Sequence, residues 1–227
     1  MSLKEKLVLA NKIMEAEKLA TPFGHISVRI PERETFYITR SISPAAATIG
    51  DILICDLGGK IIEGNHSDTY SEVVLHTGVY KKRKEFNCVA HTHSQYVIAL
   101  SLAGITVLPV NLQALVLGLE PIALYTKMAY IDTPELGEEI ADLLGPNRAV
   151  ILKGHGAVVV GKSIEDTIYA ARILETSAMF QWMARTVGTL TLMTDEEKQL
   201  LADHHSRAKA TGHGSSREWD YYASKLK

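Results

Sequence analysis

The spacing of the short apolar runs restricts the fold of this 227-residue sequence more than any other feature. Runs rich in β-branched residues, typical of strands, alternate with segments of helical periodicity. Several of these runs are separated by only a few residues; Ala149–Leu152 and Ala157–Val160, for example, flank the turn Lys153–Gly156. So short a connection cannot contain the crossover helix that parallel strands require. We therefore predict one sheet that includes antiparallel pairs and is covered by helices on both faces.

The same periodicities predict the individual elements. The predicted helices cover residues 3–20, 69–83, 94–103, 134–144, 163–183 and 195–209. The predicted strands cover residues 26–30, 36–39, 52–56, 60–62, 86–91, 107–108, 122–124, 149–152 and 157–160. No linker or repeat divides the chain, so we expect a single domain over residues 1–227. Residues 212–227 are expected to form a polar C-terminal tail, in which Tyr221 and Tyr222 either pack on the domain, the favoured reading, or cover a neighbour's site.

Composition excludes several functional classes. Hydrophobic residues make up 46% and charged residues 22%, which is a globular composition. The net charge is −2 and basic residues form no block, which argues against a nucleic-acid partner. The apolar run 107–119 is too short and too polar to span a membrane. Because Cys55 and Cys88 lie in apolar runs, core thiols are favoured over a disulfide, and we expect a cytoplasmic protein.

The strongest chemical signal is His91-Thr92-His93 at the end of a predicted strand. Residues i and i+2 of an extended backbone point to the same side, so both imidazoles can bind one cation. The alternative is a pair of ordinary surface histidines. A second signal is His155, which lies between Gly154 and Gly156 in a turn, and whose alternative is a plain hairpin.

Glu72 is the third candidate. Thr69 and Glu72 match a capping box, which would give the carboxylate a purely structural role. Otherwise Glu72 is available as a general base or as a metal ligand, and His76 lies one turn further along the same helix face. Three imidazoles and one carboxylate together suit Zn²⁺, Mn²⁺ or Fe²⁺. The spacing alone does not show that the four side chains meet.

Taken together, these segments resemble the class II aldolase/adducin family over roughly residues 5–205. The resemblance is carried by Gly-His-Ile-Ser-Val-Arg at 24–29, Ser71-Glu72 with His76, His-Thr-His-Ser at 91–94, and Gly-His-Gly at 154–156. It implies a three-layer α/β/α sandwich with a central, mostly antiparallel sheet. It also implies one divalent metal ion per subunit at His91, His93 and His155, with Zn²⁺ expected first and Mn²⁺ or Fe²⁺ as alternatives. Glu72 falls at the family's catalytic carboxylate, and members are typically homotetramers with interfacial active sites.

The resemblance also implies a small-molecule substrate. Its expected binding residues are His25, Ser41, Ser43, Ser71 and Gln113. Four of the surrounding positions differ from the family's sugar-phosphate aldolases. His25 stands where these have asparagine, Pro44 removes a backbone N–H donor, Tyr70 replaces a serine, and Gln113 replaces a proton-donating tyrosine. These differences disfavour a bound phosphate.

We therefore expect a metal-dependent lyase that cleaves a C–C bond next to a carbonyl through a metal-stabilised enolate. Decarboxylation of a small hydroxy- or oxo-carboxylic acid is favoured, because CO₂ leaves without needing a proton donor. His25, Arg29 or Arg40 are candidates to hold the carboxylate, although a structural role is favoured for the two arginines. The alternatives are a sugar-phosphate aldolase or epimerase and, from another class, a non-catalytic binding module like the adducin head.

Overall fold

The computed structural model describes residues 1–210 and 216–226, with side chains for residues 1–204 and 217–226. Its strands are β1 His25–Arg29, β2 Thr35–Thr39, β3 Ile52–Asp56, β4 Ile61–Glu63, β5 Cys88–Thr92, β6 Ala123–Tyr125, β7 Ala149–Leu152 and β8 Gly156–Gly161. Its helices are α1 Leu3–Ala16, α2 Val73–Lys82, α3 Gln95–Leu102, α4 Pro134–Leu143, α5 Ile164–Val187, α6 Asp195–Ala210 and α7 Ser216–Ser224.

The strands form one eight-stranded sheet in the order β4-β3-β2-β1-β5-β8-β7-β6. Six of the seven neighbouring pairs are antiparallel, and β6 with β7 is the parallel one. Helix α4 lies between β6 and β7 in the chain, as a parallel connection requires. This sheet with helices on both faces confirms the predicted three-layer α/β/α fold.

The two faces of the sheet bury different cores. Helices α1, α3 and α5 pack on one face around residues such as Leu7, Leu100 and Leu174. Helices α2 and α4 pack on the other, with Leu75 and Ile140 in its core. Side chains alternate along β1, so Ile26 and Val28 join the first core while the polar His25 and Ser27 face α2.

Helices α2 and α4 approach each other closely where two glycines meet. A Cβ on Gly78 would lie 2.3 Å from the carbonyl oxygen of Gly137, and a Cβ on Gly137 would lie 2.2 Å from the carbonyl oxygen of Val74. No larger residue fits this crossing without separating the helices. The contact therefore fixes the position of α2, whose first turn leads into the candidate site.

Three sequence-based predictions about these elements are wrong. The helix predicted from residue 69 begins at Val73, because the Thr69 hydroxyl donates to the Thr39 carbonyl instead of capping a helix. The helix predicted for residues 3–20 ends at Ala16. Residues 107 and 108 form no strand. The Leu108 N–H instead donates to the Oε1 of Gln181, a buried side chain on α5.

The C-terminal segment 212–227, expected to be a polar tail, is described in part. Its residues 212–215 and 227 lie outside the described part of the chain, and α7 between them buries Trp219 in the core below α1 and α5. Tyr222 packs against the same core, whereas Tyr221 is 57% exposed. Among the described residues, no helix is both long and apolar enough to cross a membrane.

Candidate metal centre and adjoining cleft

Four side chains that are distant in sequence converge at one end of the sheet. Each of Glu72, His91, His93 and His155 offers a ligand atom, and these atoms all lie within 4.8 Å of one another. The ring centroids of His91 and His155 are 4.8 Å apart, and those of His93 and His155 are 5.2 Å apart. The spacing in the sequence left this convergence open, and the fold supplies it.

Strand β5 places the first two histidines. His91 is fully buried in the strand, and His93 follows its last residue, with the two ring centroids 4.7 Å apart. The His93 N–H donates to the Leu19 carbonyl at 2.8 Å, which anchors the backbone just beyond the strand. The i, i+2 spacing thus gives the shared side that the sequence predicted.

The hairpin between β7 and β8 places His155. Gly154 has a φ of +67°, in the left-handed region that favours glycine, and its N–H donates to Ser101 Oγ at 2.9 Å. A Cβ on Gly156 would lie 1.9 Å from the Thr92 carbonyl oxygen, so only glycine lets β8 start this close to β5. The two glycines bring the imidazole of His155 next to the histidines of β5.

Glu72 directs its carboxylate into the cluster and not to the helix N-terminus. It occupies the cap position of α2 without a side-chain capping bond. Its Oε1 lies 3.2 Å from His155 Nε2, and its Oε2 lies 3.5 Å from His91 Nε2. The carboxylate is therefore free of the structural role that the capping-box pattern offered.

Several polar atoms of this cluster are buried and have no hydrogen-bond partner within the part of the chain that the structure describes. They are Glu72 Oε1, His91 Nε2 and His93 Nε2. His91 Nδ1 is 3.2 Å from the Ala157 carbonyl. If Nδ1 carries the proton and donates it to this carbonyl, Nε2 is unprotonated and has a lone pair available for a metal. Burial, followed by the neighbouring histidines, lowers the pKa of His91 and of His93. Neutral imidazoles and one carboxylate are the donor set that a divalent cation such as Zn²⁺ requires, so these residues fit the metal.

A cleft of about 440 Å³ adjoins the cluster. Glu72 forms one wall, and the cleft is also lined by four of the five predicted substrate-binding residues, His25, Ser41, Ser43 and Ser71. The fifth, Gln113, is exposed on the 3-10 helix Leu112–Val116 and does not line this cleft. Its assignment to substrate binding stays a prediction.

The two arginines considered as carboxylate partners are engaged elsewhere. Arg29 donates to the carbonyls of Tyr80 and Phe86 at the opposite end of β1. Arg40 forms an ion pair with Asp51 at 2.7 Å. Neither arginine lines the cleft, which leaves His25 as the imidazole beside Glu72 there.

Sequence reasoning missed two sets of supporting contacts. Tyr70 stacks on His25 with ring centroids 4.2 Å apart, and its hydroxyl is 2.8 Å from Thr39 Oγ1 and 2.9 Å from the Ile42 carbonyl. Glu175, buried on α5, accepts hydrogen bonds from two N–H groups at the start of α3, directly after the paired histidines. No local sequence pattern predicts the contacts of Glu175. Tyr70 lies directly before Ser71-Glu72 in the sequence, but its contact with His25 was not predicted.

The fold and these four side chains, which could hold a metal ion, define an α/β protein of the class II aldolase type. The chain belongs to the family described as "Class II Aldolase and Adducin N-terminal domain", whose model matches residues 5–182.

Individual relatives carry different activities in their names. The chain is 29% identical over 189 residues to an L-fuculose phosphate aldolase of Methanococcus maripaludis, covering 81% of this chain and 97% of the relative. It is 27% identical over 213 residues to a 3,4-dihydroxyphthalate decarboxylase of Arthrobacter keyseri, covering 88% of this chain and 86% of the relative. A solved aldolase II superfamily protein from Pseudomonas syringae shares the fold, with a TM-score of 0.81, 24% identity, and coverage of 99% and 91% of the two chains.

Proposed function

We propose that this protein is a divalent-metal-dependent carbon–carbon lyase, and that its preferred reaction is decarboxylation of a small hydroxy- or oxo-carboxylic acid. The observation that carries the lyase proposal is the cluster of Glu72, His91, His93 and His155, whose buried nitrogen and oxygen atoms include several that no group of the described residues satisfies. Membership of a family whose named relatives include an aldolase and a decarboxylase supports the same class.

The three histidines would hold the cation. When bound, a divalent cation supplies Lewis-acid stabilisation of the negative charge that develops on an enolate oxygen, worth several kcal/mol. Glu72 lies between this centre and the cleft, where its carboxylate can accept a proton from substrate or return one. A positioned carboxylate of this kind contributes about 10²–10⁴-fold to a proton-transfer step.

The character of the cleft supports a carboxylate substrate over a phosphate. A phosphate needs several donors around three oxygens. Pro44 has no N–H to offer, and the Tyr70 hydroxyl is already bonded to Thr39 and Ile42. Because no lysine or arginine among the described residues lines the cleft, its hydroxyl groups and the His25 ring remain as the side-chain donors.

Retro-aldol cleavage or epimerisation of a sugar phosphate is the second candidate. It is favoured by the L-fuculose phosphate aldolase relative and by Ser41, Ser43 and Ser71, three hydroxyl-bearing residues that line the cleft. A non-catalytic module is the alternative of another class, and the fit of the four-residue cluster to a metal disfavours it.

One assay with three readouts tests these proposals. The purified protein is loaded with Zn²⁺, Mn²⁺ or Fe²⁺ and supplied with hydroxy- and oxo-carboxylates or with sugar phosphates, while CO₂ and aldehyde release are followed. Metal-dependent CO₂ release supports the decarboxylase, and aldehyde release from sugar phosphates alone would replace it with the aldolase. Failure to bind any of the metals would instead favour the binding module. The His93→Ala variant is the control for metal-independent release.

The remaining expectations stay proposals. We infer one metal ion per subunit and a homotetramer with active sites at subunit interfaces, which would allow a neighbour's Gln113 to approach the cleft. Sedimentation of the metal-loaded protein tests the assembly, and a monomer would contradict it. The cytoplasmic location is supported by two buried, free cysteines.

A further inference from the structure

A buried row of four polar side chains leads from the cleft into the layer between β1 and α2. His25 Nδ1 lies 2.6 Å from His76 Nε2, and His76 Nδ1 lies 2.7 Å from Ser27 Oγ. Ser27 Oγ lies 2.6 Å from the Tyr80 hydroxyl. All four residues are at most 2% exposed, so water does not compete for these bonds.

The two elements present these residues in register. His25 and Ser27 are i and i+2 on β1, about 6.6 Å apart along a strand. His76 and Tyr80 are i and i+4 on α2, about 6 Å apart along a helix. Because the two spacings are nearly equal, side chains from one face of the strand and one face of the helix can alternate in one continuous row of hydrogen bonds.

The number of available protons fixes the direction in which hydrogen bonds are donated along this row. Among the described residues, Ser27 is the acceptor that the Tyr80 hydroxyl reaches, while the Val89 N–H near this hydroxyl is itself a donor. The Tyr80 proton therefore has an acceptor only if Tyr80 donates to Ser27. Burial raises the pKa of Tyr80 well above its usual range, which keeps that proton on the phenol. Ser27 then donates its single proton to His76 Nδ1.

The same direction continues through both histidines. Burial lowers the pKa of His76 to about 3, so its ring is neutral and carries one proton. With Nδ1 accepting from Ser27, that proton is on Nε2 and is donated to His25 Nδ1. The reverse direction would leave the Tyr80 proton buried without an acceptor, which is costly.

We propose that Ser27 and His76 are positioning residues that hold His25 in the tautomer protonated at Nε2, so that this N–H donates to an acceptor oxygen of the substrate. Tyr80 donates to Ser27 at the far end of the row and is not itself required for the tautomer. His25 Nε2 lies 4.0 Å from Glu72 Oε2, too far for a hydrogen bond, and so its proton is available to the cleft. Tyr70, whose ring packs against that of His25 with centroids 4.2 Å apart, restricts the orientation of the His25 ring. The inference rests on the proposed function for the identity of the acceptor, a substrate oxygen, but the tautomer itself belongs to the ligand-free protein.

Nitrogen-15 NMR of the full, zinc-loaded chain with labelled histidine tests the tautomer directly. The chemical shifts of ring nitrogens distinguish protonated from unprotonated positions, and His25→Gln and His76→Gln variants assign the signals. The expected result is a proton on Nε2 and none on Nδ1 for both residues. A proton on Nδ1 of His25 would overturn the proposal.

Two variants within the hydrogen-bonded row then distinguish a positioning role from a general packing role. Ser27→Ala removes the donor to His76 Nδ1, and the tautomer ratio of His25 should shift about fivefold or more toward the Nδ1-protonated form. Tyr80→Phe should leave the tautomer unchanged, because the Ser27 proton still has His76 as its acceptor. Ser177→Ala and Tyr125→Phe are matched controls, since both residues are buried but do not belong to the hydrogen-bonded row. A Ser27→Ala spectrum identical to that of the unaltered protein would contradict the assigned role.

A binding measurement tests the consequence. Glycolate, a simple hydroxy-carboxylate, is titrated into zinc-loaded protein, and His25→Leu should weaken it by roughly 10–100-fold, as loss of a hydrogen bond to a charged group does. Unchanged glycolate affinity in His25→Leu would refute the donor role. If glycolate fails to bind the unaltered protein, the proposed substrate class is wrong, whereas the NMR result still decides the positioning proposal.

Discussion

Two histidines on neighbouring elements should respond to removal in opposite ways. His93 has a buried Nε2 that no described residue hydrogen-bonds, whereas His76 is fully buried with both ring nitrogens hydrogen-bonded. We therefore predict that His93→Ala abolishes the stabilisation by metal and barely changes the metal-free protein. His76→Ala should do the reverse.

The magnitudes follow from these contacts. Zinc at a hundred times its Kd stabilises a protein by about 2.7 kcal/mol, and a chain of this size gains about 2–4 °C per kcal/mol, so Tm should rise by about 5–11 °C. In His93→Ala the rise disappears, while the metal-free stability changes by less than about 1 kcal/mol, because an unsatisfied group is removed. His76→Ala leaves a cavity and frees buried polar partners, at a cost of about 2–5 kcal/mol.

Differential scanning calorimetry with and without zinc, together with urea denaturation of the metal-free proteins, measures both effects. His76→Gln, which retains hydrogen-bonding groups, keeps the comparison informative if His76→Ala fails to fold, and it should lose less stability. A His93→Ala protein that keeps the full zinc-dependent rise in Tm would refute the assignment of His93 as a ligand. A His76→Ala protein as stable as the unaltered chain would refute the energetic reading of the buried hydrogen bonds.

Three further predictions test the carboxylate, the helix crossing and the response to acid. Glu72→Gln should retain bound zinc, measured by elemental analysis, while turnover falls about 10²–10⁴-fold; full turnover would remove its proton-transfer role. Gly78→Ala should cost about 1–3 kcal/mol in urea denaturation, because its Cβ meets Gly137 at 2.3 Å. Gly188→Ala, whose Cβ would meet no described atom within 4 Å, should be neutral, and equal effects of the two alanines would contradict the packing argument. The pKa of His76 falls from 6.5 to about 3 on burial, so only the unfolded chain takes up this proton below about pH 6.5. The metal-free stability should therefore fall with acidification by about 1.4 kcal/mol per pH unit from this group, and the slope in His76→Gln should be shallower by that amount, whereas an identical slope would exclude it.

Local sequence patterns were enough to predict much of the sheet. The short turn at Lys153–Gly156 predicted the β7–β8 hairpin, since a four-residue connection leaves no room for a crossover. Residues 107 and 108 were apolar but form no strand, because a tertiary contact from Gln181 takes the Leu108 N–H. A run of two apolar residues contains no information about a partner more than seventy positions away.

In the candidate site too, some features follow from the local sequence and others depend on tertiary contacts. The pairing of His91 with His93 follows from strand geometry alone, whereas the approach of His155 depends on the close contact of Gly156 with Thr92. The capping-box pattern at Thr69 gave the wrong start of α2, because the Thr69 hydroxyl bonds to a neighbouring strand segment. The direction of the bonds from Tyr80 to His25 needs coordinates, since it depends on which buried protons lack another acceptor.

The register of β1 against β5 has a consequence for how the gene can change length. His25 is paired with His91 and Ser27 with Val89, so both polar side chains point toward α2. Insertion or deletion of one codon within β1 would turn every following side chain to the other face, sending Ser27 among the apolar residues below α1. Evolution can trim or extend the exposed bend at residues 31–34, whereas within the strand it is restricted to exchanging one residue for another.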